Sequence, residues 1–122
     1  MRAVLFISHG SRLPQTEDEV RAFVGRLKKR SRVPIFEYAY LEIARPSIPE
    51  GIDMCVGQGA REVIILLNFL NTGKHVEEDI PRIIQKAQKK YPQVIFRITE
   101  PVGQHARIAD LFLDMIEKRS SR

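Results

Sequence analysis

The 122-residue sequence has one cysteine, Cys55, so it forms no internal disulfide and no Cys-based zinc knuckle. A lone thiol fits a reducing compartment, and the expected location is the cytoplasm. No apolar run approaches the roughly 18 residues that cross a bilayer, so no membrane role is expected. Residues 1–12 carry a basic residue and a short apolar run with no cleavage pattern behind them, which reads as a strand, not a leader. Walker A and H-E-x-x-H motifs are absent. Gly57-Gln58-Gly59 precedes a strand instead of following one and lacks a third glycine, so it is not a dinucleotide fingerprint. No RNA-binding aromatic signature or zinc-finger pattern occurs, and no nucleic-acid partner is expected.

The composition is 43% hydrophobic and 29% charged, which suits one globular domain over residues 1–122 with a core that needs no cross-links. Net charge is +5. The basic residues fall in three groups, at 26–32, 86–90 and 118–122. Their spread reads as solvated helix faces, with the third group favouring a helix C-terminus. A positive chain also suits an acidic small molecule.

Periodicity gives the element order. Residues 3–8 (AVLFIS) are a continuous apolar run, the mark of a strand buried on both faces. Thr16 and Glu19 form a T-x-x-E capping box before a helix with Val20, Phe23, Val24 and Leu27 inward. A strand follows at 35–41. Pro46-Ser47 opens the next helix, with Ser47 and Glu50 as a second box and Ile48, Ile52, Cys55 and Val56 inward. A strand at 62–67 leads to a helix over 76–90, with Ile80, Ile83, Ile84 and Ala87 inward. A strand at 94–98 precedes a last helix, whose Ile108, Leu111, Phe112, Met115 and Ile116 share one face. Such alternation predicts an α/β fold: a single three-layer domain, a four-stranded parallel sheet of order 2-1-3-4, flanked by helices as in a flavodoxin-like half.

In such a sheet, ligands bind outside the carboxyl ends of the strands, at the topological switch. Three loops meet there: Ser8-His9-Gly10-Ser11-Arg12, Tyr40-Leu41-Glu42, and the stretch from Asn68 to His75. With neighbouring strands about 4.8 Å apart, His9 and His75 flank the crevice and Glu42 lies one strand to the side. Two imidazoles and a carboxylate are a reasonable ligand set for a divalent first-row metal. Lacking thiolate, the site is expected to be labile, with open positions. Each residue also has an ordinary reading: His9 packed on the helix behind it, His75 at a helix start, Glu42 a surface carboxylate. His105 reads as solvated or capping, and Glu77, Glu78 and Asp79 suit the positive end of a helix.

Taken together, Ser8-His9-Gly10-Ser11-Arg12 after a first strand, Glu42 with Pro46, Phe69-Leu70 followed by Gly73-Lys74-His75-Val76 and Asp79-Ile80-Pro81, and Glu100-Pro101-Val102-Gly103 with His105 resemble the short sirohydrochlorin chelatases. These are class II, ATP-independent tetrapyrrole chelatases. The resemblance covers essentially the whole chain; Asn68 departs from it, standing where many relatives carry proline. It implies insertion of Co2+, or alternatively Ni2+ or Fe2+, into sirohydrochlorin on the way to cobalamin or a related tetrapyrrole, with no nucleotide. It carries over His9 and His75 as the metal-handling pair and Glu42 as a carboxylate near the metal or a proton acceptor. It also implies a homodimer, with the tetrapyrrole between two sheet edges. By position in the site loops, Ser11, Arg12, Arg45, Asn71, Thr72, Gly73 and Lys74 are the candidate substrate contacts, with Arg12, Arg45 and Lys74 pairing its carboxylates.

Neutral imidazole suits both jobs, since it ligates metals and changes protonation near neutral pH. Two rival readings stand beside this one. A histidine phosphatase would need an arginine to hold phosphate where Ser8 stands. The other rival is a metal-binding α/β module without catalysis.

Overall fold

Ala3 to Ser8 are buried without a break, so this strand, β1 (Arg2–Ser8), must be covered on both faces. It pairs in parallel with β2 (Ile35–Tyr40) on one side and β3 (Glu62–Leu67) on the other. β4 (Ile95–Ile98) adds to β3, which gives the expected order β2-β1-β3-β4. The structure, a computed structural model, describes residues 1–118. Of the third basic group, Arg119 and Arg122 lie outside the described residues.

Two helices, α2 (Ile48–Gly57) and α3 (Ile80–Lys90), bury Ile52, Cys55, Ile80 and Ile84 against Leu5, Ile7, Val63 and Ile65. On the opposite face α1 (Pro14–Arg30) sets Val24 against Val4, Phe6 and Phe36. Phe23, expected inward, stays 39% exposed, its ring tilted against Phe6 at 5.5 Å. Cys55 is fully buried, and burial pushes its thiol up to about 12.

The two expected capping boxes fare differently. At α2 the box forms: Ser47 Oγ accepts from the Glu50 N–H at 3.3 Å, and the Ser47 N–H donates to Glu50 Oε1 at 2.8 Å. At α1 it does not. Proline is pre-organised for the first helical position, so the helix begins at Pro14, and the Thr16 N–H bonds the Leu13 carbonyl at 3.0 Å. Thr16 and Glu19 thus lie inside the helix, past the point where a cap acts.

The helix expected over 76–90 begins with a widened π turn, His75–Asp79, before α3. Pro81 has no N–H to give the Glu77 carbonyl, and its ring would crowd that oxygen. The wider turn avoids both problems by sending the Ile80 N–H to the His75 carbonyl.

A last helix, α4 (Ile108–Glu117), forms as expected but buries no residue. Leu111, Phe112, Met115 and Ile116, expected to share one face, are 47–73% exposed. α4 follows a short edge strand, with Ile95 and Ile98 exposed, and its main neighbour is the Val102–Gln104 turn. An apolar stripe records that a face needs covering, not which surface covers it.

Arg45, together with the Ser47 N–H, holds the Glu50 carboxyl down from 4.5 to about 2. A depressed carboxyl stabilises the fold above its unfolded pKa, and the contribution disappears as pH falls through the folded value. Glu50→Gln should therefore be less stable than the wild type at pH 6, and the gap should close between pH 4.5 and about 2. Urea unfolding across that range checks this; a gap that does not change with pH would assign the effect to packing.

Candidate functional site

The β1 ladder runs on past the strand ends. The Leu41 N–H donates to the Ser8 carbonyl at 2.9 Å, Glu42 N–H to His9 at 3.0 Å, and Asn68 N–H to Ile7 at 2.9 Å. Asn68 Nδ2 adds a bond to Ser8 Oγ at 3.2 Å. This pairing holds His9 beside Glu42, with Nε2 to Oε2 at 2.8 Å. Gly10 turns the chain underneath with φ +122°, and a Cβ there would sit 1.9 Å from the Glu42 carbonyl oxygen. Ile43, next to Glu42, has φ +75°. That backbone is strained for a β-branched side chain and costs about 1–3 kcal/mol.

The third loop brings His75. Its ring centroid lies 5.6 Å from that of His9, and its Nδ1 is 2.6 Å from Asp79 Oδ2. The loop is braced from β4's side: the Gly103 N–H donates to the Phe69 carbonyl at 3.0 Å, and a Cβ on Gly103 would sit 1.7 Å from the Leu70 carbonyl oxygen.

One ligand atom each from His9, Glu42 and His75 lie within 4.8 Å of one another, a group found among the described residues. The three side chains are 47%, 50% and 44% exposed. Two nitrogens and an oxygen, half in water, match a divalent first-row ion that keeps open coordination positions. A hollow of about 280 Å³ between α2 and α3, floored by Ile52 and Ile83, has none of the three on its walls. The convergent donors sit half-exposed at the open carboxyl edge.

The expected substrate contacts divide. Arg12 and Lys74 are exposed with no ion-pair partner among the described residues, and Asn71, Thr72 and Gly73 are exposed on the His75 loop. Ser11 Oγ accepts the Leu13 N–H at 3.1 Å. Arg45 is taken up by Glu50, with its Nε 3.3 Å from Oε1. His105 Nδ1 accepts the Arg107 N–H at 3.0 Å in the turn before α4, which has no side-chain cap. Asp79 is the residue whose contact sequence reasoning missed. Its signal was the four-residue spacing from His75, which puts both on one side of a turn.

The family described as CbiX matches residues 3–119. The chain belongs to the CbiX family. Within that family it is 42% identical over 118 residues to a sirohydrochlorin ferrochelatase of Priestia megaterium, covering 97% of this chain and 44% of that protein. It is 34% identical over 119 residues to a sirohydrochlorin cobaltochelatase of the same organism, covering 97% of this chain and 38% of that one. The sirohydrochlorin chelatase SirB from Bacillus subtilis subspecies spizizenii, solved in complex with cobalt, superposes with a TM-score of 0.85 at 29% identity, covering 99% of this chain and 55% of SirB. The chain thus spans about half, or less, of the length of these relatives. The matches fix the CbiX fold and family.

Two glycines on the CbiX edge give opposite expectations. Gly73 has nothing within 4 Å of a built Cβ, and Gly103 has a carbonyl in the way. Gly73→Ala should unfold at the wild-type temperature, whereas Gly103→Ala should displace the His75 loop and lower the melting temperature. Thermal unfolding of both checks the brace; equal melting temperatures would remove it.

Proposed function

We propose that the chain is an ATP-independent sirohydrochlorin chelatase domain that inserts a divalent metal into the macrocycle. The observation that carries this reading is the convergence of His9, Glu42 and His75 donor atoms within 4.8 Å at the open carboxyl edge. Insertion exchanges one M2+ for two pyrrole N–H protons, so the site must hold an ion loosely and accept protons. Imidazole and carboxylate donors half in water release an ion more readily than a closed thiolate site. His9 and His75 handle the ion, and the His9–Glu42 pair, 2.8 Å apart, passes protons to solvent. Arg12 and Lys74 are placed to meet substrate carboxylates, with Ser11, Asn71, Thr72 and Gly73 in the surrounding loops. No nucleotide is required.

Co2+ is our proposed ion, with Ni2+ and Fe2+ as alternatives. Imidazole and carboxylate accept all three, and the relatives include both a ferrochelatase and a cobaltochelatase. Against a histidine phosphatase, Ser8 is buried and bonded to Asn68 where that chemistry needs an arginine.

We further propose that two copies pair, with the macrocycle between their sheet edges. The half-exposed donors have no opposing wall among the described residues of one chain. The α4 stripe and exposed Ile95 and Ile98 supply apolar surface left uncovered by the described residues, and a two-fold interface requires self-complementary surface of this kind.

The decisive assay mixes protein, sirohydrochlorin and Co2+ anaerobically without ATP and follows the absorbance. The wild type should outpace the protein-free control, and His75→Ala should lose roughly a hundredfold or more. No acceleration with Co2+, Ni2+ or Fe2+ sinks the chelatase reading and leaves a binding module.

Sedimentation tests the pairing. The wild type should run as a dimer, and Phe112→Asp with Met115→Asp should run as a monomer that inserts metal slowly. An active wild-type monomer overturns the shared cleft.

A further inference from the structure

His75 offers the site only one of its two nitrogens. The other, Nδ1, lies 2.6 Å from Asp79 Oδ2. A carboxylate oxygen accepts, so in the neutral ring the hydrogen between them sits on Nδ1 and Nε2 keeps its lone pair. We propose that Asp79 is a positioning residue: it locks His75 in the Nδ1–H tautomer and in one ring orientation, so that Nε2 stands ready to take a divalent cation. This rests on the reading that His75 handles the metal.

Three features make the contact more than a chance surface pair. The π turn His75–Asp79 brings both residues to one side of the same turn, and π turns of this kind recur at functional sites. Asp79 is itself held from behind, its Oδ1 3.5 Å from the Arg82 guanidinium, and it is less exposed than His75, 26% against 44%. Glu77 and Glu78 belong to the same acidic cluster yet are exposed and make no side-chain hydrogen bond among the described residues. The contact is therefore specific to position 79. It also makes the two histidines unequal. His9 meets Glu42 through Nε2, whereas His75 meets its carboxylate through Nδ1, and its Nε2 makes no hydrogen bond among the described residues. Outer carboxylates of this kind orient a ligating imidazole and raise its basicity.

The test reads the tautomer and the ion separately, without tetrapyrrole. The chain has three histidines, so long-range 1H–15N spectra of the metal-free protein are simple, and His75→Ala assigns the ring. The wild type should carry the His75 hydrogen on Nδ1. Asp79→Ala should move it largely to Nε2, the form an unconstrained histidine favours in water, and weaken Co2+ binding by about 10–100-fold. Asp79→Asn, whose amide oxygen accepts the same hydrogen, should keep the tautomer and recover part of the affinity. Glu78→Gln, which removes equal charge without touching the ring, should bind Co2+ as the wild type does.

A wild-type ring with its hydrogen on Nε2 overturns the proposal, even if Asp79→Ala fails to fold. So does an Asp79→Ala protein with unchanged tautomer and affinity, or a Glu78→Gln protein that loses as much as Asp79→Ala. Neither readout involves metal insertion. A protein that binds Co2+ through an oriented His75 but never metallates sirohydrochlorin would sink the chelatase reading and leave Asp79 in place.

Discussion

The register of β1 between β2 and β3 is the constraint on which the site depends. β1 is buried on both faces, and a slip of one residue would exchange the side chains of its two faces. The ladder therefore has one low-energy alignment, and it continues past the strands through bonds to the Ile7, Ser8 and His9 carbonyls. Once those bonds exist, Glu42 must stand beside His9 and the His75 loop must leave β3 next to both. The backbone placement of the three loops thus follows from core packing.

Local strain completes what register begins. Gly10 and Gly103 each pass under a backbone carbonyl where no side chain fits, one fixing the Glu42 loop and the other the His75 loop. Ile43 carries a positive φ at the same edge. Such conformations persist only when surrounding structure over-determines them. Here the buried sheet supplies that determination, which lets a half-exposed rim hold its donors in place.

Most of the fold was legible because it rests on patterns that burial enforces. The unbroken run of β1, the alternation of strands and helices and the Ser47–Glu50 cap all report local physics that tertiary structure left alone. The strand order then followed, and with it the meeting of His9, Glu42 and His75. The misses came where one local signal overrode another or where the partner was remote. Pro14 outcompeted the Thr16 box. Pro81 reshaped the first turn of α3, and that hid the Asp79 contact behind an ordinary acidic helix start. Arg45 was read as free because its pairing with Glu50 joins a loop to the helix it precedes. α4 showed its stripe plainly, but periodicity carries no information about whether the covering surface belongs to the same chain.

Cys55 has a consequence for metal selectivity that its packing alone does not suggest. Thiolate is the side chain that competes best for soft and borderline ions, and a reactive thiol near a transit site for cobalt, nickel or iron would act as a sink. In this chain the lone thiol is sealed in the core and pushed up to about 12, so at neutral pH it stays protonated and out of reach. Among the described residues no thiolate is then accessible, and the donors that converge at the edge are nitrogen and oxygen. An ion reaching the edge would meet no thiolate among the described residues, because the same core that sets the sheet's register also encloses Cys55.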